Sequence, residues 1–316
     1  MIFSLGSHGD GVRRIETRLA ALNLYTGAID GSYGGGVESA VKAFQAAHGL
    51  ATDGVVGEET WKALFDGEAP PVDQLASAPL LHRCLALTGA FETSVGVPDC
   101  FAGLAGDFDG QGLSFGVVQW NLGQGTLQPL LNEMITQHED VLRGLFHDHF
   151  SELQGMLASR RDLQLEWARN IQDPRRHAIF EPWKGLFQAL GRTPEFQAIE
   201  VEHASALHAA AQNLCSRFDV SSERALALMF DIRVQNGSID QKTEAKIRED
   251  FATIAPADDE VARLRAIANR RAEASAPAFV EDVRVRKLTI ANGSGTVHGI
   301  SWDLEAQFGI GLRRAA

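Results

Sequence analysis

A chain of 316 residues with 45% hydrophobic and 22% charged residues has room for two domains, and its composition excludes a disordered or fibrous protein. The net charge of −12, with 29 Lys and Arg against 41 Asp and Glu and no basic run, excludes nucleic acid as a partner and gives no pull toward anionic membranes. No apolar run approaches the roughly 20 residues of a membrane span, so no membrane insertion is expected. Cys84, Cys100 and Cys215 are far apart and form no C-x-x-C pair. That spacing indicates no metal site; buried or free thiols are expected, one pair of which could oxidise after export. The opening MIFSLGSHGDGVRR has no charged region followed by an apolar one, so synthesis in the cytoplasm without a signal peptide is expected.

Residues 1–66 read as a first unit. Asp10 or Ser7 can cap a helix through VRRIETRLAALNL, with Val12, Ile15, Leu19 and Leu22 on one face. A second helix fits Val37 to Ala47 and a third fits Glu58 to Phe65. IDGSYG at 29–34 and TDGVVG at 52–57 each place a D-G-x-x-G turn just before a helix. In such a turn glycine allows positive φ and the aspartate bonds backbone N–H groups beyond it. Residues 67–78, GEAPPVDQLASA, are rich in Pro and Ala without a period and read as a linker.

Residues 79–316 form the second unit, expected to be mostly α with one small β region. An apolar helix, LLHRCLALTGAF, ends at Glu92, and a Gly-rich turn with Asp107 and Asp109 leads into LSFGVVQW. Helices are expected at about 126–140, 141–158, 159–171, 177–191, 194–216, 221–234, 240–254 and 258–274. Glu92 at a helix C-terminus, beside Phe91, should favour its neutral form through burial and the helix dipole, while a turn aspartate stays ionised. Two carboxyls with pKa values pushed apart suit acid and base roles in glycoside hydrolysis. A calcium loop beginning at Asp107 is rejected because its twelfth position is Val118 where a bidentate glutamate is needed. Gln119, Trp120 and Asn121 place an aromatic between two amides, which suits sugar faces and hydroxyls and also suits a half-buried strand end. Asp231, Arg233 and the Asn269-Arg270-Arg271 run are placed to form an Asp–Arg network on helices; ordinary surface ion pairs fit as well.

Two resemblances carry the functional expectation. The first unit resembles the peptidoglycan-binding domain type 1, a three-helix module, through Val12, Leu19, Leu24-Tyr25, Gly27, both D-G-x-x-G turns, Phe44-Gln45, Gly49-Leu50, Thr60-Trp61 and Leu64. It departs from that pattern at Gly36-Val37-Glu38, where G-x-x-T is usual. With 5 basic and 9 acidic residues in 1–68, a net charge of 5 − 9 = −4, binding is expected to rest on hydrogen bonds and on aromatic or peptide contacts. Glu92 followed by D-G-x-G-x-S-x-G at 109–116 resembles the lysozyme-like superfamily, and within it the family-46 chitosanases, over about residues 85–125.

This second resemblance implies a lysozyme-like α+β fold with Glu92 as general acid, Asp109 as general base and Ser114 positioning the attacking water. It also implies an inverting reaction with well-separated carboxyls. Asp107, Gln119, Trp120 and Asn121 are the expected substrate contacts, with Asp107 as an alternative base. No cofactor or metal is implied. Together the two units suggest a peptidoglycan hydrolase of muramidase type acting on glycan strands. A chitosanase and a non-catalytic wall-binding protein are the alternatives. A monomer is expected, acting on the wall after release by a phage-type or secretion-system route, with delivery machinery or an immunity protein as further partners.

Overall fold

The computed structural model describes residues 3–5, 7, 10–68, 75, 77–94, 96–256 and 259–315. The chain divides into two packing units, one made of residues 1–95 and 206–316 and the other of 96–205. Both are mostly helical, and each carries a small antiparallel β element.

In the first unit, α1 (Asp10–Ala21), α2 (Gly35–Ala47) and α3 (Glu58–Leu64) form the expected three-helix module. Val12, Ile15 and Leu19 of α1 meet Val41, Phe44, Trp61 and Leu64 in a core of their own. Leu22 is 37% exposed, because α1 ends at Ala21 and the residue falls beyond the buried face. The Asp10 side chain, expected to cap α1, lies outside the described residues. Ser7, the other candidate cap, accepts instead from the Ser4 N–H at 3.0 Å.

Both D-G turns form as the local chemistry requires: Asp30 Oδ1 accepts from Ser32 N–H at 2.8 Å, and Asp53 Oδ1 from Val55 N–H at 2.9 Å. The Tyr33 hydroxyl donates to the Gly54 carbonyl at 3.0 Å and ties one turn to the other. Of the expected linker 67–78, only 67, 68, 75, 77 and 78 are among the described residues. α4 (Leu80–Thr93) follows, buried continuously from Arg83 to Phe91.

The second unit opens with a 3-10 turn at Asp99–Ala102 and a three-stranded antiparallel sheet in the order β1 (Leu104–Ala105), β2 (Ser114–Phe115) and β3 (Trp120–Asn121). Ser114 pairs with Ala105 on one side and Asn121 on the other. The helices are α5 (Leu127–Gln137), α6 (Glu139–Phe146), α7 (Phe150–Leu157), α8 (Arg161–Asn170), α9 (Trp183–Gly191) and α10 (Pro194–His203). Phe115 anchors the sheet on their core, with Phe187 and Phe196 each 5.2 Å from it between ring centroids.

Three expected helices differ from the structure. The one at 141–158 is broken by a 3-10 turn, His147–His149, where His147 adopts φ 45°. The one at 177–191 begins only at Trp183, since 177–182 runs irregularly and Ile179 pairs with Gln172. The one at 194–216 is two helices that break at Ala204.

The chain returns to the first unit in α11 (Ser205–Phe218), then α12 (Glu223–Asn236), α13 (Gln241–Phe251), α14 (Glu260–Glu273) and α15 (Val280–Asn292). A hairpin of β4 (Ser294–Val297) and β5 (Ile300–Asp303) and a last helix, α16 (Leu304–Phe308), complete it. α12 is the axis of this part: Ser222 caps its start by accepting from Ala225 N–H, and every residue from Glu223 to Ile232 is buried. It packs against both α4 and α15. The sequence reading did not anticipate α15, the β4–β5 hairpin or α16.

Candidate functional site

Glu92 occupies the last turn of α4. Thr93 donates its hydroxyl to the Gly89 carbonyl at 2.8 Å, and Ser94 closes the helix in the left-handed region at φ 60°. The expectation of a carboxyl buried against Phe91 is corrected: the Glu92 side chain is 44% exposed. Its neighbour along the chain, Phe91, is the buried residue, because the two point to different sides of the helix.

What orients Glu92 is Arg286 of α15, whose Nη1 donates to Glu92 Oε1 at 2.6 Å. Arg286 is 1% exposed on its side chain and lies 5.4 Å over the Phe91 ring. Its Nε reaches both Asp231 oxygens at 3.1 Å, and its Nη2 reaches Oδ1 at 2.6 Å. Asp231 also receives Lys287 Nζ, and the Thr88 hydroxyl donates to it at 3.3 Å. Lys287 has a second acceptor in Gln235 Oε1 at 2.6 Å. Two carboxylates and two cations thus form one balanced cluster with only Glu92 reaching solvent.

The electrostatics follow from that balance. Burial alone would raise the Asp231 carboxyl, but the Arg286 guanidinium and the Lys287 ammonium outweigh it and hold it at about 2. Burial pushes Lys287 down to about 8, against the opposing pull of Asp231. Burial would also lower Arg286; Asp231 and Glu92 together carry it above the ordinary arginine value. The guanidinium is therefore a permanent charge with a fixed orientation, and it holds one oxygen of Glu92 in place.

The expected Asp–Arg network exists with other partners. Asp231 belongs to it, whereas Arg270 pairs with Asp250 at 2.7 Å and Arg233 is no part of the cluster. Arg286 and Lys287 were missed because α15 was missed. A signal was present: Val283, Arg286, Lys287 and Ile290 stand at i, i+3, i+4 and i+7, so two cations occupy the buried stripe of a helix. Cations on such a stripe require buried acids opposite them.

In the second unit the two turn aspartates separate clearly. The Asp107 side chain is 8% exposed; its Oδ1 accepts from Gly112 N–H at 2.7 Å and its Oδ2 pairs with Arg169 at 3.1 Å. The Asp107 N–H donates to Gln172 Oε1 at 2.7 Å, locking the turn onto the segment after α8. Gly106 is required there, since a Cβ would lie 2.0 Å from the His177 carbonyl oxygen. Asp109 is exposed, and its Oδ1 accepts from Gln111 N–H at 3.0 Å.

Ser114 is half-buried on β2, and Asn121 Nδ2 donates to its Oγ at 2.9 Å. This bond fills an acceptor site on the hydroxyl and leaves its proton to be donated elsewhere. Asn121 itself is 4% exposed, with its Oδ1 accepting from Gln124 N–H at 3.0 Å. It is placed to orient Ser114. Gln119 is exposed at φ 58° and donates to the Gly116 carbonyl at 2.9 Å, and Trp120 is half-buried against the core.

Glu200 of α10 was not anticipated. It is fully buried, and its Oε1 accepts from Val117 N–H at 2.9 Å, while Oε2 has no partner among the described residues. Burial pushes this carboxyl well above the ordinary glutamate value, with only the Val117 bond opposing it. Gly116, at φ 89°, allows the approach: a Cβ there would stand 2.1 Å from Glu200 Oε1.

Residues 8–64 match the family model described as a putative peptidoglycan binding domain. Over 63 residues the chain is 38% identical to N-acetylmuramoyl-L-alanine amidase CwlM of Mycobacterium tuberculosis, covering 20% of this chain and 16% of that one. Over 89 residues it is 38% identical to the zinc D-Ala-D-Ala carboxypeptidase of Streptomyces albus G, covering 26% of this chain and 33% of that one. The chain thus spans only between 16% and 33% of the length of these curated relatives. Among solved structures, a GH46 chitosanase of Gynuella sunshinyii in complex with chitotetraose matches at 14% identity and a TM-score of 0.44, covering 71% of this chain and 97% of that one. No helix among the described residues is long and apolar enough to cross a membrane.

Proposed function

We propose that this chain is a cell-wall glycan hydrolase of muramidase type, in which the N-terminal module holds peptidoglycan and the helical part cleaves the β-1,4 glycan backbone. The observation that carries the chemical half is the presentation of Glu92: a solvent-reaching carboxyl oriented by a buried arginine that is itself anchored on a buried aspartate. A surface glutamate without a task does not require such a support. Glu92 is assigned as the general acid, protonating the leaving oxygen. Asp109 is assigned as the base that activates water. Its exposure supports this choice over Asp107, both of whose oxygens already hold the turn. Ser114, steadied by Asn121, is assigned to the water.

The substrate half rests on the match of residues 8–64 to a peptidoglycan-binding module and on relatives named for peptidoglycan bonds. The family-46 resemblance of the Glu92 and D-G-x-G motifs favours a second substrate, chitosan, with the same residues in the same roles. Action on the wall, as a phage-type lysin or a delivered effector and as a monomer, belongs to the same proposal.

The test is mass spectrometry of products from purified sacculi and from chitosan. Reducing-end N-acetylmuramic acid is expected from sacculi; anhydro-muramic products would mean transfer without water, and products from chitosan alone would replace the substrate. Glu92→Gln should retain the fold and lose roughly 10²–10⁴-fold in rate. Near-normal turnover by the folded variant would remove Glu92 from the mechanism.

A further inference from the structure

The N-terminal module carries a groove of about 470 Å³ lined by Arg13, Arg14, Thr17, Arg18, Ala21 and Phe65. Three of the five basic residues in the net-acidic stretch 1–68 gather here. Local charge therefore runs against net charge, and an expectation built on the latter overlooks this face.

The arginines are ordered. The Arg14 guanidinium lies 5.1 Å from the Trp61 ring centroid and 4.9 Å from that of Phe65, so two aromatic rings flank it. Arg18 Nε donates to the Leu64 carbonyl at 2.6 Å. Arg13 Nη2 donates to the Asp30 carbonyl at 3.4 Å.

The segment following α3 supplies carboxylates to the same guanidinium groups. Glu68 places both its oxygens on Arg14 Nη2, at 2.9 and 2.8 Å, and Asp66 reaches Arg18 Nη2 at 3.1 Å. These acids are 50% and 85% exposed on their side chains. Ion pairs this open contribute little and are readily exchanged for another anion. A planar guanidinium suits a planar carboxylate. Phe65 and Ala21 add an apolar wall.

We propose that this groove reads the free carboxylates of peptidoglycan stem peptides, which combine acidic groups with alanine methyls, and that Asp66 and Glu68 are internal competitors for it. The proposal rests on the peptidoglycan reading of the module and names its contact face.

The test uses the full chain, with calorimetry against a synthetic stem tetrapeptide and its fully amidated counterpart, and pelleting with sacculi. The acidic peptide should bind, the amidated one should not, and added salt should weaken binding. Arg14→Gln with Arg18→Gln should reduce affinity at least tenfold, and Arg14→Lys, which retains charge without the fork, should reduce it several-fold. Asp66→Asn with Glu68→Gln should tighten binding several-fold. Thermal midpoints confirm that each variant is folded. If the wild type pellets with sacculi and the arginine variants bind peptide and sacculi unchanged, the groove is overturned while the wall-binding reading stands. If the wild type does not pellet at all, that reading falls and the groove with it. If glycerol phosphate binds and the acidic peptide does not, the carboxylate assignment is overturned in favour of a phosphate polymer of the wall.

Discussion

Asp231 in the first unit and Glu200 in the second are both completely shielded from solvent. Their carboxyls are nevertheless pushed in opposite directions. Asp231 faces Arg286 and Lys287 and is held ionised at about 2, whereas Glu200 has one backbone N–H and its carboxyl is pushed well above the ordinary range. Burial disfavours the charged form of both, and the partners decide the direction of the net shift. An ionised buried acid can fix an arginine, and through it Glu92. Glu200 has no cation opposite it among the described residues and receives a turn N–H instead.

The most severe way to break this contrast is Asp231→Asn. It leaves Lys287 buried without its carboxylate and Arg286 with Glu92 alone, and breaking a buried pair in this way costs about 3–5 kcal/mol. The urea midpoint of the variant should fall accordingly at neutral pH, and activity should fall with it as Arg286 loses its anchor. A loss below about 1 kcal/mol would mean that the cluster does not hold the fold.

Acid provides the next largest effect. The folded Asp231 carboxyl lies below its ordinary value of 3.8, so its contribution is fully present above that pH and disappears as pH falls through about 2. The shift corresponds to roughly 2–3 kcal/mol at about 1.4 kcal/mol per pH unit. The stability gap between wild type and Asp231→Asn should therefore narrow over that window. A gap unchanged down to pH 2 would contradict an ionised Asp231.

The smallest effect sharpens the other side of the comparison. The folded Glu200 carboxyl lies above its ordinary 4.5, so the stability it contributes is complete below 4.5 and is lost as pH rises toward the folded value. Glu200→Gln resembles the neutral acid in shape and should change stability by less than about 1 kcal/mol in acid, within the range of a neutral hydrogen-bond exchange. It should also flatten the decline toward alkaline pH. A large loss at pH 4 would show that the second oxygen has a partner that an amide cannot satisfy.

Much of the N-terminal module was legible because its determinants are local. Asp30 and Asp53 bond N–H groups two residues ahead, and the periodic apolar positions of α1 and α2 mark a face that needs only a neighbouring helix. Leu22 escaped this reading because a periodic pattern does not announce where a helix stops. Glu92 and the D-F-D-G turn were visible for the same local reason, as a carboxyl at the end of an apolar run and two aspartates among glycines.

By itself, then, the sequence determined the three-helix module, the mostly helical class, the small sheet around Ser114 and the identity of the candidate carboxyls. Each follows from spacings of a few residues acting through backbone bonds and helical period. Only the tertiary structure decided which partner holds each carboxyl. Asp107 is tied to Arg169, 62 residues away, and Glu92 is oriented by Arg286, 194 residues away. Asp231 is joined to Arg286 across 55 residues. Pairs so distant in sequence leave no periodic trace; the Glu92–Arg286–Asp231 set is brought together by α12 packing against both α4 and α15, and the charges find partners only once that packing exists.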